Sequence, residues 1–561
     1  MTGARGLPQR RILDTSFGNG AAFLAAWREW KLDPQWPRIL HFVAITEQPP
    51  TAAGLLLAAG RTAGLRELAN AVVNEWYGLL PGVHRLVFEH GYVLLTLCIG
   101  DTEKMLRHLD FHADAVLLHG ERPINLKALA RCCRRGTTIE VSDPAGTLQP
   151  LLKRHGFALG EAAGGLLRGQ FAPAWEPRGT RPKEPVVPGS CIVIGAGLAG
   201  AAAAASMARR GWSVTVLDGA AAPASGASGL PAGVLVPHTS PDDNLLSRLS
   251  RDGVRATLQQ AHGLLKPGED FEASGVLEHR IDGSPSVPAA SGAGAVWNRP
   301  ADANQKRLAG LSAETSADWH EKAAWIRPAR LVQAWLAQPG VQVQCNARVA
   351  KLQRDASGWQ ALAPDGRVLA SGAIVIVAAA VASALMVEGL TLQPVRGQVT
   401  WALHDAALHL PPFPVNGDGS FIPSVPTAHG HAWICGASFE RGDCDLAERE
   451  VDQQANVARL RRLLPGLSSQ LDVVSLQAWT GIRCASIDRR PLIGPLHEDV
   501  PDGLWLSTAM GSRGLTFAVL AAELIAARVH GEPLPLARQL ALALSPARHK
   551  NRATARANAR E

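Results

Sequence analysis

Three glycines carry the first chemical signal. Residues 192–218 read IVIGAGLAGAAAAASMARRGWSVTVLD, and Gly195, Gly197 and Gly200 form G-x-G-x-x-G between an apolar strand and an alanine-rich helix. The first glycine makes the tight turn, the second lets backbone approach a pyrophosphate, and the third lets helix and strand pack closely. The helix N-terminus presents unpaired N–H groups and a partial positive charge to phosphates. Asp218 ends the following strand, where an acid accepts from ribose hydroxyls. An ordinary glycine-rich turn is the plain alternative, and the strand, helix and acid together argue against it. The fingerprint serves NAD and FAD equally. Three further features favour FAD. A small-residue loop, Ala224–Val234, places Ser225, Gly226, Ser228 and Gly229 along a dinucleotide. Val349–Val377 reads as strand, turn and strand. Leu504–Ala527 then returns as a strand, a glycine turn (Gly511, Ser512, Arg513, Gly514) and an apolar helix. A helix N-terminus at Gly514 suits the flavin carbonyl end, where negative charge grows on reduction.

From 190 to about 548 the chain resembles the FAD-dependent amine oxidases of the glycine oxidase and D-amino acid oxidase group. It resembles more closely the oxidase half of the MnmC family, bifunctional enzymes of the tRNA wobble uridine. The blocks that carry the resemblance are GASGLPAG (226–233), SPDDNLLSRL (240–249), PVRGQV (394–399), GDG (417–419), RRPLIGPL (489–496) and GSRGLT (511–516). The resemblance implies oxidation of a secondary amine that bears a carboxymethyl group. Hydride passes from the glycine-like Cα–H to flavin N5. The imine then hydrolyses to a primary amine and glyoxylate. That reaction needs the amine neutral and the carboxylate anchored, and an arginine fork suits the anchor. Arg483 in GIRCAS aligns with the family arginine that holds the substrate carboxylate. Arg513 in GSRGLT is a second contact from the flavin loop. Arg396 in PVRGQV reads as organising the interface between sheet and flavin. For each arginine a solvated surface position or a structural ion pair is the competing reading. His238 follows the small-residue loop and is either close to the flavin or structural. Asp242, Asp243 and Asn244 read as turn and cap chemistry.

A second glycine pair lies near the N-terminus. Residues 13–20 read LDTSFGNG, with Asp14, Gly18 and Gly20 between a strand and a helix. Together with LHFVAIT (40–46), LTLCIGD (95–101) and ADAVLLHG (113–120), this resembles the S-adenosylmethionine (SAM)-dependent methyltransferase half of the same family. That half methylates the primary amine which the oxidase releases. Four departures stand out. Ser16 replaces a glycine of the loop. The acid after the second strand falls on Thr46, beside Glu47. The acidic active-site position falls on His119, followed by Glu121, Arg122 and Pro123. Only 12 residues precede Leu13, so the segment that the family carries before the loop is expected to be missing. A histidine there either takes a proton from an ammonium or marks drift in a retained domain that helps to hold tRNA.

These residues need elements to position them. Strands at Arg11–Asp14, Ile39–Ile45, Leu94–Ile99, Ala115–Leu118 and Thr138–Val141 alternate with helices at Ala21–Lys31, Leu65–Glu75 and Thr102–Leu109. Alternation of this kind predicts a parallel sheet covered on both faces. Residues 172–188 read APAWEPRGTRPKEPVVP, with five prolines and five charges, and form a linker. Beyond it come Cys191–Ile194, the helix Ala199–Arg210 and Ser213–Leu217, then a mixed region too long for one sheet. The expected order is an α/β chain: a SAM-methyltransferase-like Rossmann domain over 1–171, the linker 172–189, a two-subdomain FAD-binding Rossmann-like amine oxidase domain over 190–545, and a basic tail over 546–561.

The chain has 561 residues, 47% hydrophobic and 19% charged, which excludes a disordered polymer. No apolar run of ~18–20 residues is flanked like a membrane span, and Ala373–Val387 reads as a buried strand running into a helix. The N-terminus has no signal-peptide pattern. The eight cysteines make no C-x-x-C pair, and no metal site is visible, which fits a reducing cytoplasm. A net charge of +7 fits a polyanion such as RNA, whereas the terminal Arg548, Lys550, Arg552, Arg556 and Arg560 form a basic tail for which a frayed end is the favoured reading. Three readings remain. The first is an enzyme of the tRNA anticodon stem-loop that removes carboxymethyl from the wobble uridine and then methylates. The second is an oxidase of free glycine- or sarcosine-like amino acids, and the third a tRNA-binding flavoprotein without catalysis.

Overall fold

The computed structural model describes residues 8–549 apart from 61, 120–123, 143–146, 162–165, 176–185, 288–291, 406–407, 469–470, 472–474 and 497–501. Most of the proline-rich linker, the residues after His119 up to Pro123, and the tail from Lys550 onward therefore lie outside the described residues. The chain forms two compact units: Met1–Val187 with Ala526–Ala541, and Pro188–Ile525 with Leu542–Glu561.

The first unit is built on an eight-stranded sheet. Its order is Gly82–Phe88, Val93–Ile99, Ile39–Thr46, Gln9–Asp14, Ala113–His119, Cys133–Ser142, Leu166–Phe171, Phe157–Leu159. Apolar residues on both sides of the pleat give it two cores. Leu40, Phe42 and Ala44 face one cluster, and Val43 and Ile45 face the other. Burial of both faces is what a parallel sheet requires. The central strands are parallel, as the alternation predicts. The edges are not: Gly82–Phe88, Leu166–Phe171 and Phe157–Leu159 pair antiparallel. The turn from Phe88 to Val93 is too short for a parallel crossover, so it must make a hairpin. Residues 526–541 belong to this unit. Arg11 Nη1 donates to Gly531 O at 3.1 Å, and Arg85 Nη2 donates to Pro533 O at 2.7 Å.

The second unit holds two main sheets, in line with two subdomains. The six-stranded one has the order Val341–Gln344, Ser213–Leu217, Ser190–Ile194, Ile374–Val377, Leu504–Thr508, Leu492–Pro495. Ser190–Ile194, Ile374–Val377 and Leu504–Thr508 run parallel, so the glycine turns at Gly195 and Gly511 leave the sheet at the same edge. Ligands of open α/β sheets bind at that carboxyl edge. The single strand–turn–strand expected over Val349–Val377 is instead a three-stranded antiparallel sheet, Lys351–Asp355, Gly358–Leu362 and Val368–Gly372, followed by the buried strand Ile374–Val377. The first strand, KLQRD, is largely exposed, so it carries no apolar alternation to read. The larger sheet has nine strands. Its axis is Leu392–His404, paired with Gly430–Gly436 on one side and Gln477–Ser486 on the other. Near the C-terminus Arg548 is not frayed: its Nε and Nη2 each donate to Asp488 at 3.0 Å.

Candidate functional site

Two strands of the larger sheet set the site by their register. Leu392–His404 and Gln477–Ser486 are antiparallel, with Val395 opposite Arg483, Arg396 opposite Ile482, and Gly397 opposite Gly481. Side chains alternate faces along a strand, and paired residues share a face. Arg483, Gly397 and Gly481 therefore look one way and Arg396 the other. Arg396 is fully buried, ion-paired with Asp452, and donates to Asp445 O at 2.8 Å and to Gln398 Oε1 at 2.9 Å. It holds the 445–452 segment against the sheet. Arg483 enters the wall of a cavity of roughly 1020 Å³ in the second unit. This lies at the top of the ~300–1,000 Å³ range of ligand sites and suits a large ligand.

The cavity brings together most of the residues expected from sequence. Gly195, Gly197, Asp218, Ser225, Gly226 and Ser228 line one part, and Gly511, Arg513, Gly514 and Arg483 another. Gly200 and Gly229 stand behind the lining. A Cβ on Gly200 would overlap the carbonyl oxygen of Gly195, and one on Gly229 would lie 2.6 Å from Ala224 O. Both let the loops close around the cavity without facing it. Asp218 braces the glycine turn: its Oδ2 accepts from Ala196 N at 2.6 Å and its Oδ1 from Ala220 N at 2.8 Å. Ser228 Oγ accepts from Leu198 N at 3.0 Å, at the first turn of the helix Leu198–Arg209. Ser507, also in the lining, has a buried hydroxyl with no partner among the described residues, which a bound acceptor would satisfy. Helix terminus, glycine cradle and orphan hydroxyl fit a dinucleotide.

The electrostatics point to an anion. Burial lowers the Arg483 guanidinium from its ordinary value, and burial with Arg489 nearby lowers that of Arg513. Neither meets a carboxylate among the described residues. Arg483 donates to Ser438 O at 3.3 Å and lies over the Phe439 ring. Two partly desolvated cations in one cavity, with no carboxylate opposite among the described residues, are costly unless a ligand anion completes them. His238 is outside the lining. It hydrogen-bonds Ser247 and Ser250, with its pKa lowered by burial and by Arg513. Asn244 caps the helix Leu245–Leu264, accepting from Leu246 N and Ser247 N.

Gly397 is a functional position that sequence reading passed over, because PVRGQV draws attention to its arginine. A Cβ there would fall inside the guanidinium of Arg483. The glycine is the space in which the anchor sits. Gly397→Ala is expected to push Arg483 aside and raise KM for the anionic substrate by roughly tenfold or more, since misplacing a positioning group by ~1 Å costs up to ~100-fold. Titrating steady-state rate against substrate checks this, with flavin content as the folding control.

In the first unit, Asp14 ends the strand Gln9–Asp14, and its Oδ1 accepts from Ser16 N at 3.0 Å. Its Oδ2 is buried without a partner among the described residues. Gly18 and Gly20 both have positive φ, at 56° and 83°. Ser16 does not, so its side chain strains no backbone. His119 ends the neighbouring strand, and its Nε2 lies 3.1 Å from Asp14 Oδ1. Its side chain is 42% exposed while that of Asp14 is 1% exposed. An orphan carboxylate oxygen over a left-handed glycine turn fits a polar ligand such as SAM.

The fold and cavity define a FAD-dependent oxidoreductase joined in one chain to a methyltransferase-type sheet. The DAO family, FAD dependent oxidoreductase, matches residues 190–528, and the S-adenosyl-L-methionine-dependent methyltransferase family matches 63–164. Its cofactors are accordingly FAD and SAM. The "tRNA 5-methylaminomethyl-2-thiouridine biosynthesis bifunctional protein MnmC" of Polaromonas naphthalenivorans (strain CJ2) is 48% identical over 577 residues, 96% of this chain and 90% of that protein. The chain belongs to the MnmC family. In fold it is similar to L-proline dehydrogenase from P. horikoshii (TM-score 0.52, 16% identity, 65% of this chain and 98% of that one). Glycine oxidase from Bacillus cereus ATCC 14579 is comparable (TM-score 0.50, 19% identity, 61% and 95%). Among the described residues no helix is long and apolar enough to cross a membrane, and no group of three or more His, Cys, Asp or Glu is arranged for a metal.

Proposed function

We propose that the chain modifies the wobble uridine of tRNA in two steps. The oxidase half removes carboxymethyl from 5-carboxymethylaminomethyl-(2-thio)uridine to leave the aminomethyl form. The other half methylates that amine to 5-methylaminomethyl-(2-thio)uridine. The partner is the tRNA anticodon stem-loop, which places the work in the cytoplasm. The observation that carries this reading is the half-buried Arg483, with no carboxylate partner among the described residues, in the wall of the dinucleotide cavity. Its fork takes the carboxylate of the tail and fixes the adjacent CH₂. Arg513 adds a second positive charge. The helix at Gly197 and the loop 224–229 hold the pyrophosphate and ribose side of the cofactor, with Asp218 keeping the turn in shape. FAD supplies the two-electron acceptor there. Water adds to the resulting imine carbon, and the C–N bond breaks to release glyoxylate and the primary amine.

In the first unit His119 is the proton acceptor. Its imidazole, with Nε2 3.1 Å from Asp14 Oδ1, takes a proton from the ammonium, leaving a neutral amine to attack the methyl that SAM supplies. His119→Gln is expected to slow methyl transfer by about 10²-fold, the lower range for general-base loss. Nucleoside analysis should then show the aminomethyl form accumulating.

The whole reading is tested with purified, flavin-loaded protein under anaerobic conditions. Bleaching of the flavin by tRNA that carries the carboxymethylaminomethyl group, with glyoxylate released, is expected. Bleaching by free glycine and not by that tRNA overturns it.

A further inference from the structure

Phe439 is an anomaly at the cavity. It belongs to the lining, yet 52% of it is exposed. A phenyl ring left half in water forgoes part of the stabilisation that burial would bring. Its backbone is nonetheless fixed on both sides. Ser438 N donates to Gln398 O, and Gln398 N donates to Ser438 Oγ, each at 3.0 Å. Glu440 pairs with Arg396 in the sheet and accepts from Arg449 at 2.9 Å. The ring is thus held out on a rigid strand edge. Two guanidinium groups attend it, Arg483 at 5.7 Å and Arg441 at 5.9 Å from the centroid. Arg483 is the inner one, half-buried in the cavity wall, while Arg441 is exposed. Phe439 therefore stands one ring outward from the carboxylate anchor.

The substrate proposed above has a matching layout. Four bonds separate its carboxylate carbon from the pyrimidine ring, a reach of roughly 5 Å at standard bond lengths. A carboxylate on Arg483 brings the base to the level of Phe439. Single-stranded RNA is recognised by stacking splayed bases on aromatic rings and arginine planes. We infer that Phe439, with Arg441 beside it, is the platform on which the target pyrimidine stacks while its side chain occupies the cavity. This rests on the functional reading above and extends it: the oxidase selects a nucleobase-bearing amine, and a free amino acid leaves the ring unused.

The experiment follows flavin reduction by an anticodon stem-loop RNA bearing one 5-carboxymethylaminomethyluridine, in wild type, Phe439→Ala and Phe439→Trp. Stacking contributes ~1–3 kcal/mol per base, so the alanine variant should raise KM on the order of tenfold or more, with the loss in KM rather than kcat. Tryptophan should restore it. Acetate, a carboxylate with no base, should inhibit wild type and the alanine variant equally, because it reads Arg483 alone. An unchanged KM in the alanine variant overturns the platform, and so does a parallel loss of acetate affinity, which would make Phe439 a support for Arg483. If wild type itself is not reduced by the RNA, the functional reading fails and takes this inference with it.

Discussion

Replacing Arg483 by alanine is expected to lower kcat/KM for flavin reduction by the modified RNA by roughly 10²–10³-fold. The guanidinium is half-buried, and no carboxylate among the described residues meets it. Its attraction for an incoming carboxylate is therefore only partly screened by water and is not shared with an internal carboxylate. Truncating one side of a buried charge pair costs about 2–5 kcal/mol, which spans that range. Much of the penalty is the substrate carboxylate left without its fork, with Arg513 as the remaining positive charge of the pair in the cavity wall. Arg483→Lys should recover only part, because a point charge cannot hold both oxygens in one plane and so does not fix the adjacent CH₂. Stopped-flow reduction of the flavin under anaerobic conditions measures this, with the flavin spectrum reporting that the cavity still folds. A variant within threefold of wild type would remove Arg483 from the site.

What could be read from residues alone followed physical necessity. Gly195, Gly197 and Gly200 are legible because backbone approach leaves no other choice, and their strand and helix follow from apolar runs of the right length. Arg483 and Arg513 were legible only through family blocks, since no local rule separates a buried arginine from an exposed one. The register that separates Arg396 from Arg483 was hidden. It depends on two strands some 80 residues apart, and period-two alternation assigns faces only once the partner is known. Gly397 and Phe439 were hidden for the same reason, as each matters through a neighbour across the sheet. Asp218 shows a different limit. Its place after the second strand was plain, but its grip on Ala196 N and Ala220 N depends on loop geometry. The antiparallel edges of the first sheet escaped because short hairpin strands such as Gly82–Phe88 carry less pattern than the buried central ones.

Glu523 links the dinucleotide helix to the stability of the second unit, and Glu523→Gln is expected to cost about 3–5 kcal/mol. The helix Leu198–Arg209 faces the cavity with its first turn, and at its far end Ser206 Oγ donates to Glu523 Oε1 at 2.7 Å. Arg209 bonds the same oxygen, and Arg210 Nη2 donates to Oε2 at 3.0 Å. Removing the carboxylate charge takes a shared counter-charge away from two cations with side chains 14% and 2% exposed. Burial opposes ionisation of Glu523, but the two arginines and the serine outweigh it and hold the pKa down to about 2 from 4.5. A depressed acid stabilises the fold above its unfolded value and loses that contribution as pH falls through the folded one. The window is therefore about pH 4.5 down to 2, and the shift corresponds to roughly 3 kcal/mol. Thermal melts of wild type and Glu523→Gln between pH 3 and 7 measure the difference. The variant should melt lower by on the order of 10 °C near neutrality. The gap should narrow as the pH drops below 4.5, because protonation does to the wild type what the substitution has already done. Melting curves that stay parallel across that range would show that the carboxylate is not the group holding the two arginines.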